Sequence, residues 1–291
     1  MKKTTLLLLL SALIGLSPSL QAAGCDRECL RGHITGYLYA LLQHDPSALP
    51  VAKSFRYTEN SKEQELGKGL WRSVSKMRGY RQDFIDERTG VVGSHVVLEE
   101  SGAPTLLVLR LKIENDLITE IETVTTRSRT EGAIFNIDGL DMPSAGMQYV
   151  PKPSQLNSRE DLIRIGGLYP KGLEEGSFVT VDVPYTPEAY RLENGAIMAG
   201  PDCTRAPDCI NIKTQKISPG RKGLTRRLVV ADERMGIAWY RLSWPRGDNQ
   251  RLVVWEAFKV YDGKMHAVEA FMKMDPADLG DGWGRERADN E

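Results

Sequence analysis

The chain has 291 residues, a formal net charge of −1, and 26% charged residues with both signs interspersed. Nothing in that balance suggests a nucleic-acid surface, which needs clustered lysine and arginine. No internal stretch reaches the roughly 20 apolar residues of a membrane span. A nucleophile elbow, a phosphate-binding loop, a dinucleotide glycine fingerprint and a His-Glu-x-x-His helix are all missing, which sets aside nucleotide, redox-cofactor and metalloprotease chemistry.

The N-terminus carries Lys2-Lys3, an apolar run from Leu6 to Leu16, Pro18 and the small-residue stretch Gln21-Ala22-Ala23. These predict a signal peptide over 1–22, cleaved after Ala22, and a secreted or periplasmic protein. Four cysteines follow as two close pairs, Cys25/Cys29 and Cys203/Cys209. In an oxidising compartment an even count reads as disulfides, and three pairings are open. The loop between Cys203 and Cys209 favours a local bridge. Cys25 with Cys29 is a second local pairing, strained if both stand on a regular helix. Neither pair has zinc-knuckle spacing, so no metal is expected.

From Asp26 to Gln43 the apolar residues Leu30, Ile34, Tyr37, Leu38, Leu41 and Leu42 keep helical spacing, and Pro46 ends the helix. Phe55 to Asn60 reads as a short strand, and a turn-rich region surrounds Trp71. Strands are expected at Tyr80–Ile85, Val91–Leu98, Thr105–Ile113 and Leu117–Arg127. Residues 131–157 lose periodicity and gather glycine and proline, as a linker or a covering loop does. A second helix is expected over Leu162 to Leu173, interrupted at Pro170. Strands at Leu224–Ala231, Ile237–Trp244, Leu252–Val260 and Lys264–Met272 follow, and the charged tail after Trp283 is expected to be disordered. Arg226-Arg227 and Arg221-Lys222 read as a solvated basic loop.

The second half repeats the first. Asp86-Glu87-Arg88-Thr89-Gly90 returns as Asp232-Glu233-Arg234-Met235-Gly236, and Glu59-Asn60 returns as Glu193-Asn194. Leu109 to Glu122 aligns without a gap on Glu256 to Glu269. With the apolar helices Leu30 to Leu42 and Leu162 to Leu173, these make four landmarks in register and indicate duplication, each copy being near single-domain size. The division is a first domain over 23–130, a linker over 131–157, a second domain over 158–275 and a tail over 276–291.

The opening helix, the Glu-Asn pair after the first strand and the Asp262-Gly263-Lys264-Met265 turn resemble the SnoaL-like branch of the nuclear transport factor 2 superfamily. Cys25-Asp26-Arg27-Glu28-Cys29-Leu30, Thr58-Glu59-Asn60, Gly67-Lys68-Gly69-Leu70-Trp71 and Gly280-Asp281-Gly282-Trp283 are similar to a two-copy secreted family of fungi and some bacteria. The resemblance implies an α+β fold: two tandem cone-shaped domains, each a curved antiparallel sheet wrapped over helices. It also implies an apolar hollow with one or two acid/base groups, as in the superfamily's cofactor-free dehydratases, isomerases and lyases. Fold does not fix activity.

A dry hollow moves a carboxylate or histidine toward neutrality, where proton transfer is efficient. Candidate catalytic residues are His95, Glu59 and Tyr57, all in the first half. Candidate substrate contacts are His33, Tyr37, Asn60, Trp71, Arg110, Tyr190 and Glu193. Each has a plainer reading: a core histidine, a Glu-Asn pair closing a turn, aromatic core anchors, or a structural ion pair of Arg110 with an acid such as Glu122. The expectation is an exported, cofactor-independent lyase or isomerase acting on a small apolar aromatic or polycyclic molecule. The alternative is a non-catalytic binding module. No cofactor and no nucleic acid are expected, and a homodimer is left open.

Overall fold

A computed structural model describes residues 25–217, 219–280 and 282–283. The expected signal peptide and the charged tail beyond Trp283 lie outside the described residues.

Helix α1 (Arg27–Leu42) begins at Asp26, whose side chain accepts a hydrogen bond from the Cys29 amide. Its apolar stripe, Leu30, Ile34, Tyr37, Leu38 and Leu41, is buried. Six strands follow: β1 (Val51–Glu59), β2 (Lys62–Glu63), β3 (Val74–Asp86), β4 (Val91–Glu100), β5 (Ala103–Glu114) and β6 (Leu117–Thr126). Two single-turn helices, α2 (Arg129–Gly132) and α3 (Ala145–Gln148), punctuate the connecting segment. Helix α4 (Arg159–Glu175) opens the second half, capped by Ser158 and closed by Gly176 at φ 76°. Pro170, the position at which a kink is expected, lies inside it. The second set of strands is β7 (Tyr185–Glu193), β8 (Ala196–Ala199), β9 (Thr225–Asp232), β10 (Ile237–Pro245), β11 (Gln250–Tyr261) and β12 (Lys264–Pro276).

Each half forms one six-stranded sheet, with orders β2-β1-β6-β5-β4-β3 and β8-β7-β12-β11-β10-β9. The expectation of purely antiparallel sheets is corrected. β1 runs parallel to β6, with Tyr57 opposite Ile121 and Glu59 opposite Thr123, and β7 runs parallel to β12. The polypeptide crosses three antiparallel connections before returning beside its first strand, so the hairpin signals in the sequence describe the later strands and leave that edge unspecified. The identical topologies match the sequence repeat. At the repeated turns Gly90 and Gly236 adopt φ 64° and 59°. A side chain there would strike the Ile113 or the Val260 carbonyl.

Period-two alternation gives each sheet two buried faces. One face of the first sheet packs on α1 through Tyr57, Val92, Val96, Leu107, Leu109 and Ile121. The corresponding face of the second packs on α4 through Ala238, Tyr240, Val254, Phe258 and Val268. The remaining faces form a third core shared by both halves, with Phe84, Val97 and Val108 against Trp239, Trp255 and Phe271. Gly93 lets the sheets approach, since a Cβ there would enter the Trp239 ring.

Candidate functional site

The helix-facing side of the first sheet brings four expected residues together. The Tyr57 hydroxyl donates to Glu59 Oε2 at 2.8 Å, and the Leu70 amide donates to the same carboxylate at 3.1 Å. Tyr37 meets Trp71 edge-on at 5.4 Å between ring centres. Burial raises the pKa of both phenols, Tyr37 and Tyr57, so they stay protonated. Glu59 also fits against Gly69, whose φ of 58° and missing side chain leave room for the carboxylate. Around this group the space between helix and sheet is filled by Leu30, Ile34, Leu38, Leu70 and Leu109.

His95 does not join them. It projects from the opposite face of β4 into the core between the sheets, away from Tyr57 and Glu59. Its ring stacks on Phe271 at 4.4 Å, and Nε2 accepts from the Trp239 indole N–H at 3.2 Å. Burial drives its pKa down to about 3, which keeps it neutral. A single step along the strand separates one face from the other, and the nearly all-buried strand hides which is which.

The other candidates scatter. Asn60 has φ 52°, and its side chain accepts from the Thr125 amide at 2.9 Å. Asn194 does the same with Met272 at 2.8 Å, so both asparagines close turns. Arg110 pairs with Glu120 at 2.6 Å. Tyr190 donates to Glu269 at 2.9 Å on the inter-sheet side. His33 lines a small groove of about 230 Å³ beside α1, with Cys29, Gly32, Gly36 and Tyr37. Disulfides join Cys25 to Cys29 and Cys203 to Cys209.

The second half holds a polar group that sequence reasoning missed. Glu256 is the repeat equivalent of Leu109, and it faces α4 from within the apolar core. Burial first, and then the neighbouring Glu193 carboxylate, push its pKa up to about 8, against the pull of Arg191 and Tyr169. Arg191 contacts Glu193 at 3.1 Å, the Tyr169 hydroxyl at 3.2 Å and Gln215 at 2.7 Å. The buried Tyr185 hydroxyl has no hydrogen-bond partner among the described residues. Ile212 and Ile217, from the insertion after β8, close over this core. The aligned repeat carries the signal: an acid stands where the other copy has leucine.

A cleft of about 890 Å³ opens between the halves, in the size range of small-molecule sites. Ile163, Leu168, Leu228 and Tyr240 form an apolar wall; Arg110, Arg159, Arg164, Lys171, Arg226 and Arg227 present cationic groups, and Asp86 and Glu120 are the acids among its lining residues. Glu122 binds Arg227 at 2.8 Å from the opposite half. The basic pair Arg226-Arg227 therefore lies on β9 and in the cleft, which corrects the expected solvated loop. Trp283 closes one end, with Arg56 and Arg110 over its ring at 4.5 and 5.4 Å.

The fold that carries these groups is a pair of six-stranded mixed sheets, each with one long helix. The family model described as Domain of unknown function (DUF8021) matches residues 155–272, the second half. A comparison with curated proteins finds no match. Similar solved structures have NTF2-like and ketosteroid-isomerase-like folds. An NTF2-like protein of unknown function from Cytophaga hutchinsonii is 12% identical, with 33% of this chain and 89% of that one covered and a TM-score of 0.28. A loop-truncation variant of IdmH is 17% identical over 33% and 91%, with a TM-score of 0.28. A hypothetical protein with a ketosteroid isomerase-like fold from Catenulispora acidiphila, in complex with trimethylamine, is 13% identical over 31% and 82%, with a TM-score of 0.25. Among the described residues no helix is long and apolar enough to cross a membrane.

Proposed function

We propose that this is an exported small-molecule-binding protein whose ligand lies in the cleft between the two halves. The carrying observation is the cleft's composition: apolar residues of α4, β9 and β10 line it together with guanidinium and ammonium groups from α4, β9 and β5. That combination suits a small amphiphile with an apolar body and an acidic group, because the charged rim orients what the apolar wall holds. The helix-facing sides of both sheets are packed with large side chains, which favours binding between the halves over binding inside either one. The test is calorimetric titration of the mature chain with aromatic and polycyclic carboxylic acids. Lys171→Glu combined with Arg164→Glu should weaken binding by about tenfold or more, roughly 1.4 kcal/mol. Equal affinity in the wild type and this variant, or no ligand across the panel, would reject the cleft.

A second reading rests on Glu256. A buried carboxylic acid held near neutrality beside Tyr169, Tyr185 and Arg191 is equipped for cofactor-independent proton transfer of the lyase or isomerase type. Substrate access would require the insertion carrying Ile212 and Ile217 to move. Mass-spectrometric screening for loss of water or a one-carbon fragment tests this reading. Turnover that survives Glu256→Gln unchanged would remove it.

A further inference from the structure

We propose that the Cys25–Cys29 disulfide masks a metal site, and that reduction turns this end of α1 into a centre of two thiolates, one imidazole and one carboxylate for a thiophilic divalent cation such as zinc. Four donor side chains converge there: Cys25, Cys29, His33 and Asp116, with ligand atoms all within 4.8 Å of one another. Cys29 and His33 are four residues apart on α1, one helical turn, so their side chains share a face. Asp116 comes from the β5–β6 turn, and its Oδ1 lies 3.8 Å from Cys29 Sγ. This places one ligand on an element distant in sequence, so a bound ion would tie the start of α1 to the sheet.

The donor set suits zinc, with thiolate, imidazole and carboxylate in a group of four. Any disulfide bond holds its sulfurs about 2.05 Å apart, whereas two zinc-bound sulfurs in a tetrahedron stand about 3.8 Å apart, given Zn–S bonds of about 2.3 Å. The oxidised pair therefore cannot serve as two thiolate ligands. Cleaving the bond frees each side chain to rotate outward from a Cα separation of 5.2 Å. Cys29 and Asp116 are exposed and Cys25 and His33 are half-buried, so a dithiol reductant and an ion both have access. The adjoining groove, with Gly32 and Gly36 leaving open space above the helix, gives His33 room to turn.

The chemistry balances in two steps. A dithiol delivers two electrons and two protons to the disulfide, becoming a disulfide itself and leaving two thiols. Binding of M²⁺ then releases the two thiol protons and forms two metal–thiolate bonds, with neutral His33 and the Asp116 carboxylate completing the shell.

The experiment titrates cobalt(II) into the full mature chain, reduced with dithiothreitol and freed of reductant under anaerobic conditions. One tetrahedral cobalt per chain is expected, with sulfur-to-metal charge transfer and displacement by zinc. The oxidised chain should give no such spectrum. Cys203→Ser/Cys209→Ser should keep the signal and Cys25→Ser/Cys29→Ser should abolish it. His33→Ala and Asp116→Asn should each weaken affinity by more than the roughly 10- to 100-fold that loss of an outer-shell partner costs. A signal that persists in Cys25→Ser/Cys29→Ser, an octahedral spectrum, or no binding by reduced chain that retains its native circular dichroism would each overturn the proposal. If either serine variant fails to fold, His33→Ala and Asp116→Asn decide: unchanged affinity in both is equally fatal.

Discussion

Arg27, the first residue of α1, donates two hydrogen bonds to Asp232 of the other half, at 2.8 and 2.7 Å. The arrangement is reciprocal, since Arg159 at the start of α4 reaches Asp86 at 2.6 Å. Each aspartate also accepts a backbone amide hydrogen bond, from Ile85 to Asp232 and from Ala231 to Asp86, in each case across the two halves. Arg88 with Glu233 and Arg234 with Glu87 extend the exchange. The repeated Asp-Glu-Arg-x-Gly motif is therefore an interface device, and its two copies bind one another across an approximate twofold relation between the halves.

Removing one member of that buried pair leaves the other without its hydrogen-bonded counter-ion. Asp232→Ala should cost about 3–5 kcal/mol in urea denaturation. A double-mutant cycle of Arg27 with Asp232 should show coupling of about 1–3 kcal/mol, and a cycle of Arg27 with Asp86 little, because no hydrogen bond or ion pair joins them.

His95 makes the inter-sheet core sensitive to acid. Its folded pKa, about 3, lies below the unfolded value of 6.5, so the unfolded chain binds the extra proton between those limits. Stability is then lost as pH falls from 6.5 toward 3, on the order of 1.4 kcal/mol per unit from this group. His95→Gln should flatten the melting temperature across that window. An unchanged acid slope would show that His95 is not responsible.

Glu256 acts at the other end. Its folded pKa of about 8 exceeds the unfolded 4.5, so its contribution is complete below 4.5 and is lost as pH rises through 8. Glu256→Gln keeps the shape and removes the ionisation. The variant should lose less stability than wild type between pH 6 and 9, read from thermal melts.

Gly93 sets how closely the sheets pack. Gly93→Ala would drive a methyl into the Trp239 ring and to 2.7 Å from the Leu109 carbonyl oxygen. A loss of about 1–3 kcal/mol is expected, with a red-shifted tryptophan emission as Trp239 is displaced.

Much of the architecture is legible in the sequence. The spacing of Leu30, Ile34, Tyr37 and Leu41 specifies α1, and the hairpins at Asn115-Asp116 and Asp262-Gly263 specify the last two strands of each sheet. The duplicated motif marks two equivalent units. The site is less legible. Tyr37, Tyr57, Glu59 and Trp71 do meet, yet His95 lies on the other face. Glu256, which stands where the first copy has Leu109, is the carboxylic acid that burial moves to about 8, and nothing local marks it.

Local order comes from the sequence alone because helical periodicity, turn residues and capping side chains act over a few positions. The face each strand residue occupies is different: β4 and β10 are buried on both sides along most of their length, so no polar alternation marks inside from outside. Tertiary packing decided that His95 would meet Trp239, that Arg27 would find Asp232 some 205 residues away, and that a cleft would form between the halves. These relations depend on how two sheets stack, which no local preference encodes.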